Sequence, residues 1–267
     1  MEDRAIENAA RILAEAEDIV AFTGAGISAE SNIPTFRDPG GIWDRFDPRE
    51  VGTTEGIIQF ALKNPGRIRG FLLEVISTFE NAHPNKGHIG LVDLEKMGLL
   101  RSVITQNIDD LHAIAGNSRV FEVHGNLYRL RCITCGKTEK HTREELLGKL
   151  KEALNSEGFD IGKLVAVFPR CKCGGFMRPD VVMFGEAVQH LMESYNEARS
   201  CDVMIILGTS GMVWPAAGVP YEARKWNTKI IEINPTTNAF RDISEVYVKS
   251  LCGEAMPLIV ERVRELR

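Results

Sequence analysis

No apolar stretch in this 267-residue sequence comes near the roughly 20 residues needed to cross a bilayer, and its opening, MEDRAIENAA, is charged where a signal sequence would be apolar. A soluble, cytoplasmic protein with no membrane partner is expected. Runs of basic residues are missing too: 32 Lys and Arg against 37 Asp and Glu leave a net charge of −5. That balance argues against a general binder of phosphate backbones, so no nucleic-acid partner is expected. Six cysteines are too few for a disulfide scaffold of this length, and four of them fall in two short-spaced pairs, which points to a metal in a reducing compartment. There is no internal repeat and no low-complexity tract.

With 44% hydrophobic residues the chain can bury a full core as one large domain with a smaller lobe. Short Val- and Ile-rich runs occur at 18–22, 102–105, 119–123, 202–207, 229–233 and 245–248, with helical spacing at 6–13, 89–98, 190–199 and from Met256 to Val263. This alternation predicts an α/β fold, a Rossmann-like parallel sheet with helices on both faces. Two segments interrupt it. The expected division is a nucleotide-binding domain from 1–29, 86–125 and 181–267, a loop and helical module at 30–85, and a metal-binding module at 126–180, which carries a helical stretch from Thr142 to Leu154. The two insertions form the small lobe.

Five of the apolar runs end in polar or glycine clusters: Gly24-Ala25-Gly26, Gln106-Asn107-Ile108-Asp109, His124-Gly125, Gly208-Thr209-Ser210 and Asn234-Pro235. The carboxyl ends of parallel strands are where open α/β sheets bind ligands. Gly24, Gly26 and Ala29 fit G-x-G-x-x-A, a turn that approaches a pyrophosphate and offers it the following N–H groups. What such a turn normally leads to is absent, namely a second strand ending about 20 residues on in an acid that holds the ribose. The chain runs instead through Asn32, Pro34, Pro39, Gly40 and Gly41, with Asp44 and Asp47 in the loop, so hydride-transfer chemistry is disfavoured.

Cys132-x-x-Cys135 and Cys171-x-Cys173 each adjoin glycine turns, as the knuckles of a tetrahedral site do. One structural Zn2+ is expected; four thiolates leave no open position for water, although they also accept iron. Cys201 and Cys252 are expected in the core.

The segments GAGISAESNIPTFRD, TQNIDDLH, VHGN, MFGE, GTSGMVWPAAG and CGEA resemble the ordered motifs of the sirtuins, the NAD-dependent protein deacylases, over essentially the whole chain. The resemblance implies NAD as co-substrate and acetylated lysine in a protein or peptide as substrate. It implies attack of the acyl-lysine amide oxygen on the anomeric carbon of NAD, loss of nicotinamide, and transfer of the acetyl group to ADP-ribose as O-acetyl-ADP-ribose. By the same resemblance His124 is the general base, and Asn107, with Asp109, orders the ribose and recognises the nicotinamide amide beside Gln106. Phe36 and Arg37 belong to a mobile flap over the cofactor, which accounts for the missing second strand. Thr209, Ser210 and Asn234, with Gly208, fit the phosphates and adenosine ribose, and the amide of Ala255 fits the adenine end. Val182, Phe184, Gly185 and Val213 fall in the two segments, 181–186 and 211–215, between which sirtuins hold the peptide as an added strand.

Several residues carry a plainer reading or depart from the family. Asp110 suits an Asx-type turn, His88 is read as structural, Val182 serves equally well as core, and His83, His112, His141 and His190 are unassigned. Asn32 stands where the family usually has glycine, and Trp214 where it has tyrosine. Family members that remove acidic acyl groups carry Tyr-x-x-Arg after an Asn-Pro turn; here Asn64-Pro65 is followed by Leu72 and Val75, and residues 51–100 contain no tyrosine. Acetyl is therefore expected over succinyl, with removal of longer apolar acyl groups as an alternative. Mono-ADP-ribosyl transfer from the same NAD site is an alternative. So is a non-catalytic NAD or ADP-ribose sensor, against which the set Asn107, Asp109 and His124 argues. The target protein and the oligomeric state are open, a monomer being compatible.

Overall fold

The structure is a computed structural model and describes residues 2–35 and 46–267. Its strands are β1 (Ile19–Thr23), β2 (Leu100–Thr105), β3 (Val120–Glu122), β4 (Gly125–Cys132), β5 (Thr138–Lys140), β6 (Met177–Val181), β7 (Val203–Leu207), β8 (Lys229–Ile233) and β9 (Val246–Val248). The six Val- and Ile-rich runs become one sheet in the order β3-β2-β1-β7-β8-β9, with every neighbouring pair parallel.

Strands β1 and β7 are buried at every residue, because both faces of a parallel sheet are covered. Successive side chains point to opposite faces. Ile19, Ala21, Ile205 and Leu207 join one core with the helices Glu2–Glu15, Lys86–Lys96 and Cys252–Leu266. Val20, Phe22, Met204 and Ile206 join the other, with Phe240 and the helices Leu191–Ser200 and Gly218–Lys225. Cys201 and Cys252 are buried in these cores. From β1 the chain steps outward through β2 to β3, and from β7 it steps the other way through β8 to β9. The switch point of the sheet therefore lies between β1 and β7, where such sheets place a ligand crevice.

The second sheet, β5-β4-β6, is antiparallel and was not foreseen. Its sequence hides it for two reasons. Along β4, Tyr128, Leu130 and Cys132 are buried while the intervening Arg129 and Arg131 pair with Asp180, so one face of the strand reads as charged. Along β6, Pro179 speaks against a strand, yet β6 is an edge, where the missing N–H is tolerated. The helix Arg143–Asn155 lies where the sequence placed it, closed by a reciprocal cap between Thr142 and Glu145.

Between β1 and β2 in the chain, the insertion includes helices Pro48–Val51, Thr54–Lys63 and Pro65–Glu80. Pro65 opens the last of these, at the one helical position where its absent N–H is harmless. Asn32 takes φ 61°, the left-handed conformation that makes it an acceptable substitute for glycine. No described helix is long and apolar enough to cross a membrane.

Candidate functional site

The turns after β1 and β7 meet through their glycines. The Gly24 amide donates to the Leu207 carbonyl at 3.0 Å and the Gly26 amide to the Gly208 carbonyl at 2.7 Å. A Cβ on Gly26 would lie 2.7 Å from the Gly208 Cα, and one on Gly208 would lie 2.3 Å from the Ile27 nitrogen. Only glycine permits this crossing. The Ile27 amide is engaged as well, by the Gly24 carbonyl at 3.2 Å. These amides brace one loop against the other, so the glycines shape the crevice by close approach of the two turns.

At the end of β2 the polar side chains form a continuous chain. Asn107 Nδ2 donates to the Gly24 carbonyl and to Ser28 Oγ, both at 3.1 Å, and Ser28 Oγ donates to Asp109 Oδ2 at 2.7 Å. The Leu111 amide donates to Asp109 Oδ1 at 3.0 Å. All three side chains are buried, and burial raises the Asp109 carboxyl above its ordinary value, with the Ser28 and Leu111 bonds opposing. Asp109 therefore makes the Asx turn that the sequence suggested for Asp110. Asp110 instead takes φ 63° and pairs with Asn126 and Lys140. Ser28 was overlooked, although it lies within the GAGIS motif. Gln106 Nε2 reaches Thr209 Oγ1 at 2.9 Å, tying β2 to β7 across the crevice.

His124 follows β3, half-buried, with Nδ1 3.0 Å from the Gln106 carbonyl. A carbonyl only accepts, so Nδ1 carries the proton and Nε2 keeps its lone pair. Burial holds the ring below its ordinary pKa. Gly125 next to it takes φ 84°, and a Cβ there would fall 1.7 Å from the Asp180 carbonyl oxygen. His124 thus has a main chain that no larger residue at 125 would permit. His88 is structural, accepting from the Asn85 amide at 3.3 Å in the cap of its helix.

At the outer corner Asn234 Nδ2 and Asn238 Nδ2 both donate to the Thr209 carbonyl, at 3.0 and 2.8 Å. Asn234 Oδ1 accepts from the Thr236 amide at 3.3 Å, so its side chain braces the Thr209–Ser210 turn. Ala255 does not fit its expected part. It is the first residue of the helix Cys252–Leu266 with a partner four residues back, donating to the Leu251 carbonyl at 3.0 Å, and its methyl is buried. Cys252, Gly253 and Glu254 are the first-turn residues, and the Gly253 amide meets Glu30 Oε2 at 2.6 Å.

Two exposed edges flank the crevice. On one, the Val182 amide donates to the His124 carbonyl at 2.9 Å and the Phe184 amide to the Gly52 carbonyl at 2.8 Å. Glu186 closes that turn, accepting from Thr54 at 3.0 Å and from Arg178 on both oxygens at 2.7 Å. Gly185 takes φ 88°. On the other edge Val213 is half-buried between exposed Met212 and Trp214. Phe36 and Arg37 lie outside the described residues.

Cys132, Cys135, Cys171 and Cys173 bring their sulfurs within 4.8 Å of one another. Two of the separations, 3.6 and 3.7 Å, match the roughly 3.8 Å edge of a tetrahedron with Zn–S bonds of about 2.3 Å. The four cysteines fit one structural zinc.

A parallel sheet with its ligand loops at one switch point, beside a lobe closed by four thiolates, defines a nucleotide-binding α/β protein with a structural metal site. The chain belongs to the Sir2 family, whose profile matches residues 24–215. It is 49% identical to an NAD-dependent protein deacylase of Desulfosudis oleivorans, over 99% of this chain and 98% of that one. Among solved structures it resembles a Sir2 homologue in complex with NAD, at 36% identity and TM-score 0.78, covering 98% of this chain and 95% of the other. It also resembles Sir2Af2 bound to a myristoylated histone peptide, at 36% identity and TM-score 0.73, covering 100% and 99%.

Proposed function

We propose that the protein is an NAD-dependent protein-lysine deacylase that moves acetyl and longer apolar acyl groups from lysine to ADP-ribose. The observation that carries this reading is His124, whose Nδ1 is held by the Gln106 carbonyl so that Nε2 is available as a base. A pure nucleotide sensor has no use for a neutral imidazole with its lone pair kept free at the strand ends. NAD supplies the electrophilic anomeric carbon and, once nicotinamide has left, the ribose hydroxyl that accepts the acyl group, with one water consumed as the lysine amine departs.

The remaining roles belong to this chain's own residues. The Gly24, Gly26 and Gly208 crossing gives the dinucleotide a close backbone surface, with Ala25, Thr209 and Ser210 at its rim and Asn234 bracing it. Both amide hydrogens of Asn107 are engaged by Gly24 and Ser28, so Oδ1 is the atom it offers to the ribose or an ordered water. Asp109, held by Ser28 and Leu111, is placed for the nicotinamide amide. His124 Nε2 takes the proton of the ribose hydroxyl as that oxygen attacks the acyl carbon, a transfer typically worth about 10²–10⁴-fold in rate. Phe36 and Arg37 are proposed to close over the sugar.

The peptide is proposed to lie between Val182–Glu186 and Gly211–Pro215, held by main-chain bonds that are tolerant of sequence. Leu72 and Val75 on the helix Pro65–Glu80 pack with other apolar side chains, so a carboxylate brought there would lose hydration without a partner. That favours apolar over acidic acyl groups, and the myristoylated peptide on Sir2Af2 is in keeping with a long apolar chain. The test is mass spectrometry of lysine peptides carrying acetyl, myristoyl or succinyl groups, with and without NAD. Loss of acetyl and myristoyl only with NAD, together with O-acyl-ADP-ribose, is expected. Higher kcat/KM for succinyl would overturn the acyl preference, and a peptide gaining the mass of ADP-ribose would overturn the reaction.

A further inference from the structure

We propose that His112 is a positioning residue for this reaction, its imidazole fixing the main chain at Asn107 through the hydroxyls of Thr23 and Thr105. The inference rests on the role given above to Asn107.

The path is short and enclosed. His112 Nε2 lies 2.9 Å from Thr23 Oγ, Thr23 Oγ donates to Thr105 Oγ at 2.8 Å, and Thr105 Oγ accepts the Asn107 amide at 3.1 Å. Since the Thr23 hydrogen goes to Thr105, Thr23 accepts from His112 Nε2–H. The two threonines are the last residues of β1 and β2 and sit opposite each other in the sheet register. His112 lies on the helix Leu111–Ala115, whose first amide holds Asp109. One ring therefore ties together the ends of two strands and the short helix on either side of the loop that carries Asn107 and Asp109.

Packing alone does not call for this arrangement. Thr23, Thr105, His88 and His112 are all buried. The His88 and His112 rings lie 4.9 Å apart between centroids, and His88 Nε2 has no hydrogen-bond partner. Buried polar atoms without partners are destabilising, and aliphatic side chains of similar volume would fill the space more favourably. A continuous hydrogen-bonded path does what an aliphatic cluster cannot, which is to fix direction.

The experiment measures NAD-dependent turnover of an acetyl-lysine peptide by the whole chain carrying His112→Phe, His112→Gln, Thr23→Val, or His112→Phe with Thr23→Val. For His112→Phe, kcat is expected to fall about 10- to 100-fold while KM for the peptide stays within about two-fold. His112→Gln, whose amide nitrogen reaches the same hydroxyl, should recover most of the loss. The double variant should be no slower than the slower single one, because both break one path. Full kcat in folded His112→Phe, or losses that multiply in the double variant, would overturn the proposal. Should His112→Phe fail to fold, Thr23→Val against His112→Gln decides: loss in the first and near-normal turnover in the second supports the path, and any other pattern overturns it. Asn107→Ala separates the two levels, since full turnover there would overturn the role given to Asn107 itself. Loss of activity in Asn107→Ala with none in His112→Phe would sink only the positioning role.

Discussion

The two sides of the crevice are built in opposite ways. On the sheet side, Ser28, Asn107, Asp109 and Thr209 are nearly inaccessible, and each is held by a neighbour on another strand or turn. On the groove side, Phe184, Met212 and Trp214 are 49%, 64% and 65% exposed, and order comes from main-chain bonds and the Glu186 turn. The difference follows from what each side meets. A base and a ribose must be aligned to a fraction of an ångström, which demands side chains with one available position. A protein substrate varies along its length, so the surface proposed to receive it is suited to recognising backbone.

The largest break in that contrast is expected from His124→Ala. It should lower kcat by about 10²–10⁴-fold with the fold intact, measured as nicotinamide release coupled to peptide deacylation. Next comes Gly26→Ala, which forces a methyl against Gly208. It should lower stability by about 2–3 kcal/mol in urea unfolding and raise KM for NAD far more than KM for peptide.

Acid sharpens the comparison further. Burial, and for His88 also the neighbouring His112, pushes the folded-state values of His88 and His112 down to about 2 and about 4, from an ordinary 6.5. The unfolded chain then binds more protons, so stability is complete above about pH 6.5 and lost as pH falls toward the folded values. Between pH 6.5 and 5 each histidine should contribute a loss of about 2 kcal/mol, read by chemical denaturation at each pH. His124, also lowered, should remain a base below pH 6.5, placing the acid limb of kcat/KM under that value. The smallest effect belongs to the groove: Trp214→Ala should raise KM for the peptide by no more than about five-fold, with kcat unchanged.

The sequence was legible where one physical requirement dominated. A strand buried on both faces must be apolar throughout, so β1 and β7 stood out, and the Val- and Ile-rich runs beside them marked the rest of the sheet whose trailing polar clusters share one edge. Four thiols at knuckle spacing fold toward one another for the same kind of reason. Legibility failed where a residue's task depends on partners far along the chain. Asp180 lies about 50 residues from Arg129 and Arg131, which it neutralises, so β4 and β6 looked too charged and too broken to be strands. Which amides remain available was equally hidden: the helix register that engages Ala255 and the crossing that engages Gly26 exist only in three dimensions. His112 stayed unassigned because nothing in TQNIDDLH says that it reaches back to Thr23, 89 residues earlier.

Strand β4 begins at Gly125 and ends at Cys132, so a single eight-residue strand has His124, the proposed base, just before one end and a cysteine of the metal cluster at the other. It behaves as a beam clamped at both ends, roughly 25 Å long, with the Arg129, Arg131 and Asp180 pairs as cross-ties. The metal lobe need not approach the reaction to matter to it. Loosening the far clamp lets the near end swing, so a chain stripped of its metal should lose alignment of His124 first, turning over more slowly while still gripping its dinucleotide.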